Sequence, residues 1–598
     1  MAKQFYSKRD LQFNLYELLN AEQLTQYAYF QDHDRASFDM ILEAAEQISE
    51  KMLRPLLSEM DRQEPQLVNG KICVHEGMKA VIKRFGDDGW INAPFSYQEG
   101  GQQLPGLVHN AAGFIFQAAN YSSSVFPFLT TGAANLIRTF GSQTLIDTYT
   151  PLMYGGHWQG TMALTEPDAG SSLSDISTSA EPTVQEDVFK IKGQKIYISC
   201  GDHDACQNVV HLMLAKIKGG PIGTKGISLF VVPQKRIETD GTLTANDVQT
   251  AGVYHKMGYK GAPIAHLMVG SNDDCYGYLV GEPHKGLSYM FQMMNEARVG
   301  VGTNAAAIGT AAYYASLEYA RERPQGRVIS EKDPSKPQSL IVRHADVKRM
   351  LLFQKSVVEG SLSLLLQCGL WSDLAHVAEG ETKERAELLL DLLTPIAKTY
   401  PSEMCCQTTS AAVQILGGAG YTTDFPVEQF YREARIHPIH EGTTGIHGLD
   451  LLGRKITQKS GKALGYLLEE IQQSIAAAQT ETLAGLAADL EKSVAILQKT
   501  TAQQLALAPQ NPEIFLADAT LYLEMFGTVA IAWQWLKQAT AATVALPTAT
   551  SEADHDFYQG KIMAARYFFE YELVKTHALA KRLASSDRVT VEMQPNWF

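Results

Sequence analysis

I-H-P-I-H-E-G-T-T-G-I-H-G-L-D-L-L-G-R, residues 436 to 454, is the stretch on which the reading of this 598-residue chain turns. Glu441 stands between an apolar, proline-containing lead-in and a turn of small residues. Ile446, Leu449, Leu451 and Leu452 then open an apolar run that looks helical. The pattern places a carboxylate on a short loop at a helix entrance, where Gly442 lets the backbone pack close to a ligand. A carboxylate among apolar and small groups is desolvated, which raises its pKa toward neutrality and suits it to general-base work. The competing reading is a helix cap, because acids are favoured near helix N-termini. Taken alone, these residues favour the cap.

Two further stretches change that balance. M-A-L-T-E-P-D-A-G-S-S runs from Met162 to Ser172, and Q-I-L-G-G-A-G-Y runs from Gln414 to Tyr421. Alone, the first reads as a surface turn with a helix cap, and a lone G-G-x-G is more often a loop than a nucleotide site. In this order and at these distances, the three stretches resemble the acyl-CoA dehydrogenase family, over roughly residues 40 to 455. The chain is most similar to the long bacterial branch, which adds an N-terminal segment and a C-terminal helical extension. That branch includes broad-range acyl-CoA dehydrogenases and enzymes resembling methylthiopropionyl-CoA dehydrogenase.

The resemblance implies a mainly α fold with a central β-domain: an α-helical domain, a small β-barrel or sandwich domain and a four-helix bundle, with a C-terminal helical domain added. It implies FAD as cofactor and dehydrogenation of an acyl-CoA thioester to the 2-enoyl-CoA, a step of fatty-acid β-oxidation. The carbon next to the carbonyl gives its proton to Glu441, and the next carbon gives a hydride to flavin. Electrons then pass to an electron-transfer flavoprotein. The backbone N–H of Glu441, with a ribityl hydroxyl of FAD, is implied to hold the thioester oxygen, and such donors are usually the larger catalytic contribution.

Carried over residue by residue, the main-chain groups of Met162 and Leu164 and the hydroxyl of Thr165 contact the flavin ring. Gly170 and Ser171 face the pyrophosphate, and Ser171 also reaches the acyl-CoA. Tyr197 and Ser199 fall where relatives have an aromatic ring and a hydroxyl beside the flavin. In Y-A-R-E-R-P-Q-G, from Tyr319 to Gly326, Arg323 is implied to bind the pyrophosphate of a neighbouring subunit's FAD. Gln325 stands there in place of the hydroxyl residue of shorter members. Gln414, Gly417 and Gly418 meet the same cofactor from that second chain, and Thr443 completes the cofactor set. The substrate set is Ser171, Arg298, Glu441 and Gly442. For Arg298, in N-E-A-R, the competing reading is a solvated salt-bridge partner. His440 replaces a Tyr frequent in short-chain relatives, and His447 stands where Gln is usual. His437, His440 and His447 have no regular ligand spacing, so no metal site is expected.

Lys plus Arg number 51 against 65 Asp plus Glu, a balance of −14 that argues against a nucleic-acid surface. Seven cysteines lie scattered without metal spacing, which reads as a reducing cytoplasm without structural disulfides. The N-terminus lacks the apolar core of a signal peptide, and no apolar run is long enough to span a bilayer. A soluble cytoplasmic enzyme without membrane insertion is expected.

Residues 1–36 read as a polar and aromatic arm laid across the main body, and 37–160 as an N-terminal α-helical domain. In 161–285 the texture becomes β, with F-K-I-K-G-Q-K-I-Y-I-S from Phe189 to Ser199 expected as a strand pair about its glycine. Helices return over 286–455, where the helix after Glu441 is expected to complete a four-helix bundle. Residues 456–598 read as three amphipathic helical stretches of structural role, roughly 462–502, 511–545 and 554–586. By covering the chain's own bundle they are expected to leave a homodimer rather than a tetramer. The aromatics of 114–131 either shorten the acyl tunnel or fill a helical core. Two rival functions remain at this level: an acyl-CoA oxidase using O2, and a non-catalytic nucleic-acid-binding flavoprotein.

Overall fold

The computed structural model describes residues 3–478, 480–585 and 587–598. The chain forms two compact units: Asp39–Leu104 with Ile115–Ala297, and Met1–Phe38 with Pro105–Phe114 and Arg298–Phe598.

The first unit joins helices to a sheet. Helix α1 (Tyr121–Phe140) follows Asn120, whose side chain accepts from the Ser123 N–H at 3.1 Å, and α2 (Gln143–Tyr154) follows it. Within the expected α-helical domain, the Asn120 cap and the burial of Phe126 and Ile137 hold α1 helical. Eight strands make one sheet: β1 (Trp158–Ala163), β2 (Ser179–Pro182), β3 (Val188–Ser199), β4 (Asn208–Ile217), β5 (Ile227–Pro233), β6 (Val248–Val253), β7 (Ile264–Val269) and β8 (Tyr276–Leu279). Their order is β6-β7-β3-β8-β5-β4-β1, with β2 paired to both β3 and β4. β1 runs parallel to β4 in the register Met162 to Leu212.

Strand β4 is buried on both faces, which is why V-V-H-L-M-L-A reads as a continuous apolar run. Val210, Leu212 and Leu214 pack with Ala133, Ile137 and Tyr149 of the helices, while Met213 and Ala215 join Phe230, Ile191 and Leu267 on the other face. The expected strand pair at 189–199 is instead one twelve-residue strand, β3. Gly193 does not turn the chain but admits a neighbour: a Cβ there would stand 2.8 Å from the Thr178 Cα. Phe116 packs on Phe85 and Trp90 at 4.7 and 5.0 Å, and Phe126 on His203 at 5.0 Å, so these rings fill a core.

The second unit is built on long helices: α3 (Gly286–Glu322), which enters it at Arg298, α4 (Ala345–Val377) and α5 (Gly380–Leu416). α5 continues through Pro395 and Pro401. The backbones of α3 and α5 meet at Gly302, where a Cβ would lie 1.9 Å from the Ala397 carbonyl oxygen. The helix after Glu441, α6 (Thr444–Asp450), has only seven residues. The expected stretch 462–502 divides into α7 (Lys462–Ala477) and α8 (Glu481–Leu507).

The stretch 511–545 is not an amphipathic cover. Its main helix, α9 (Ala519–Ala545), buries Trp533, Gln534, Trp535 and Gln538 completely and is enclosed all round over 525–536, against α4, α5 and α6 among others. Two of its polar groups are matched, Trp535 Nε1 donating to the Ser356 carbonyl and Ser363 Oγ to Gln534 Oε1, both at 2.8 Å, while Gln534 Nε2 and Gln538 Nε2 find no partner among the described residues. Lys561, on α10 (Glu552–Tyr567), donates to Glu359 and Gln538 at 2.8 Å and pairs with Asp10 of the arm. Phe5, Tyr6, Phe13 and Phe30 of that arm are buried. Among the described residues no helix is long and apolar enough to cross a membrane.

Candidate active site

Glu441 lies in the turn between the helix Val427–Ala434 and α6, and its φ is 54°. A left-handed conformation is costly for a residue with a long side chain and persists where surroundings enforce it. Gly442 follows at φ 93°. Thr443 is the N-cap of α6, its hydroxyl accepting from the Ile446 N–H at 3.4 Å. The cap is therefore supplied without Glu441. Among the described residues the Glu441 carboxylate makes no hydrogen bond or ion pair, and its N–H finds no acceptor. Its carbonyl accepts from His447 Nε2 at 3.1 Å. Burial raises the pKa of this carboxyl, and the charges of Arg298 and Lys398 hold it back.

Arg298 is only 6 % exposed, with Nη1 3.9 Å from Asp450 Oδ2, so it is not a solvated surface partner. Lys398, which the sequence reading passed over, is fully buried on α5. Its Nζ donates to the carbonyls of His437 and Gly442, each at 2.7 Å. The signal was present: one lysine in the otherwise apolar run L-L-T-P-I-A-K-T-Y-P. Behind the loop, His437 Nδ1 and His440 Nε2 lie 3.2 Å apart, and burial pushes the His440 and His447 pKa values down to about 3, so both rings are neutral.

The other unit holds the stretch Met162 to Ser172. β1 delivers Met162, and Leu164 and Thr165 follow half-buried. Glu166 and Lys195, neither expected in a role, fasten the turn. Lys195 Nζ donates to the Leu164 carbonyl at 3.0 Å and to Glu166 Oε1 at 2.7 Å, and Glu166 Oε2 accepts from the Ser177 N–H at 2.6 Å. Burial opposes ionisation of Glu166, but the Lys195 ammonium outweighs it and holds the carboxyl at about 2. Beyond this anchor, Gly170 and Ser171 are exposed, and nothing lies within 4 Å of where a Gly170 Cβ would stand. Tyr197 has a φ of 57°, is 59 % exposed and lies 4.6 Å from the Tyr254 ring. The Ser199 carbonyl accepts from Thr161 Oγ1 at 2.9 Å. An anchored turn ending in open small residues, beside an exposed ring, fits a flat aromatic cofactor carrying phosphates.

Arg323, Gln325, Gln414, Gly417 and Gly418 all lie exposed on the helical unit. The Arg323 segment is pinned by bonds from Gln325 N to the Ser339 carbonyl and from Ile341 N to the Arg323 carbonyl, 2.9 and 2.8 Å. Among the described residues the Arg323 guanidinium has no ion pair. Gly417, at φ 59°, ends α5 by donating to the Gln414 carbonyl, and no atom lies within 4 Å of a Cβ at Gly417 or Gly418.

Three family models match the chain: acyl-CoA dehydrogenase, middle domain, over residues 161–271; acyl-CoA dehydrogenase, C-terminal domain, over 368–456; and acetyl-CoA dehydrogenase C-terminal like, over 467–594. The 3-methylmercaptopropionyl-CoA dehydrogenase of Ruegeria pomeroyi is 35% identical over 588 residues, 97% of each chain. A butyryl-CoA dehydrogenase of Syntrophomonas wolfei is 32% identical over 606 residues, 99% of each chain. Among solved structures, an acyl-CoA dehydrogenase complexed with FAD from Bacillus anthracis aligns with a TM-score of 0.74 at 20% identity, covering 96% of this chain and 91% of that one.

Proposed function

This chain belongs to the acyl-CoA dehydrogenase family, and from that premise we propose that it oxidises an acyl-CoA thioester to the 2-enoyl-CoA, with Glu441 as the base and FAD as cofactor. One observation carries the assignment of the base: a half-buried carboxylate without a partner among the described residues, on a left-handed residue whose own N–H is also unused. Glu441 accepts the proton from the carbon next to the thioester carbonyl. The same residue's N–H is available to the thioester oxygen as charge develops there. Arg298 and Lys398 keep the carboxyl ionisable despite its burial.

FAD is held by Met162, Leu164, Thr165, Gly170, Ser171, Tyr197 and Ser199 of one chain. Arg323, Gln414, Gly417 and Gly418 of a second chain complete its site, so the working form is a homodimer. Bound FAD supplies the two-electron acceptor that no side chain offers. An electron-transfer flavoprotein then takes the electrons onward.

The named relatives point to short acyl chains, 3-methylmercaptopropionyl and butyryl, as the first thioesters to try. Anaerobic mixing of the flavin-loaded protein with a panel of acyl-CoAs tests the proposal. Bleaching of the flavin band by at least one short acyl-CoA is expected, with reoxidation faster by electron-transfer flavoprotein than by O2. A flavin left oxidised by every thioester contradicts the proposal, and faster reoxidation by O2 contradicts its acceptor.

A further inference from the structure

Lys398 is the residue about which the base loop closes. Its ammonium binds the carbonyl four positions before Glu441, at His437, and the one immediately after it, at Gly442. One side chain thus ties both ends of the segment that carries the base. The loop's own backbone bonds are longer, among them 3.1 Å from His440 N to the Ile436 carbonyl and 3.2 Å from Thr444 N to the Pro438 carbonyl. A left-handed Glu needs such a brace.

Two cations act on Glu441, Arg298 and then Lys398. Arg298, from α3, stands 3.9 Å from Asp450 of α6. Glu403, on α5, accepts from the Thr444 hydroxyl. His437 and His440 of the loop and His447 of α6 are kept neutral by burial. Lys398 makes no ion pair among the described residues. Burial lowers its pKa to about 8, and Glu441 is the first charge that works against that loss.

We propose that Lys398 is a positioning residue for the base: it ties the loop on both sides of Glu441 and, with Arg298, supplies buried positive charge that keeps the carboxylate ready to accept a proton. The inference rests on Glu441 being the base of an acyl-CoA dehydrogenation. Removing the cation should make the carboxylate harder to ionise, so the acid limb of the rate should move to higher pH. A purely structural lysine would lower the rate equally at every pH.

The test is the pH dependence of anaerobic flavin reduction in the FAD-loaded enzyme, for wild type, Lys398→Met and Lys398→Gln. Gln retains one donor for a loop carbonyl and guards against a Met variant that fails to fold. In whichever variant retains FAD, the acid-limb midpoint is expected to rise by about one pH unit or more. The thioester KM should stay within about twofold while kcat falls, because an interaction that orients the base acts on the chemical step. An unmoved acid limb overturns the proposal, as does loss of FAD and of cooperative unfolding in both variants. A wild type that bleaches with no acyl-CoA overturns the functional reading, and this inference with it. A wild-type acid limb left in place by the variants overturns this inference alone.

Discussion

Two buried lysines brace two loops, one in each compact unit, and they differ in what neutralises them. Lys195 holds the Leu164 carbonyl on one side of Thr165 and the Glu166 carboxylate on the other. Lys398 holds carbonyls on both sides of Glu441 and has no carboxylate within ion-pair distance among the described residues. In the β unit the brace is closed: a charge is spent on a neighbouring charge, and the Glu166 carboxyl is held at about 2. In the helical unit the brace leaves its charge available to Glu441, whose carboxyl burial drives upward. A neutralised lysine fixes backbone, whereas one without its own counter-ion also sets the electrostatics of what it fixes.

Replacing Lys195 should give the largest change in stability. Lys195→Met leaves the Glu166 carboxylate buried without its cation, which costs about 3–5 kcal/mol. Urea unfolding should show this as a lower midpoint at unchanged slope. A midpoint equal to wild type would mean that the two braces do not differ as described.

Arg323 extends the comparison to an exposed cation without an ion pair among the described residues. In the reading of a shared site its partner is a phosphate of the second chain's cofactor. Arg323→Ala should then weaken FAD retention by about 1.5–3 kcal/mol, without lowering the urea midpoint. FAD content equal to wild type after dilution and gel filtration would remove the cross-chain contact.

The smallest effect is in acid. Glu166 titrates lower in the folded chain, at about 2, than its ordinary 4.5, so its contribution to stability is complete above about 4.5 and is lost as pH falls toward 2. Glu166→Gln should flatten the fall of stability over that window. An identical acid slope in the variant would show that Glu166 gains nothing from Lys195.

What the sequence disclosed follows the same division. The base loop, the 162–172 turn and the G-G-A-G segment are contiguous, so each could be read directly, and the helical and β textures followed from periodicity. The braces could not be found that way. Lys398 lies 39 and 44 positions from its partners, which are backbone carbonyls and carry no residue identity. The single strand β3 was misread because Gly193 serves a tertiary approach by Thr178, a reason local pattern does not contain. The enclosure of α9 over 525–536 depends on helices, among them α4 and α5, more than a hundred residues earlier in the chain.

Glu441 carries the chemistry most directly. Glu441→Gln keeps the size and polarity of the side chain but cannot accept a proton. Stopped-flow reduction of the FAD-loaded variant by the best acyl-CoA of the panel should be slower by at least about a hundredfold, with FAD content and thioester binding unchanged. A reduction rate above about a tenth of wild type would contradict the assignment of Glu441 as the base.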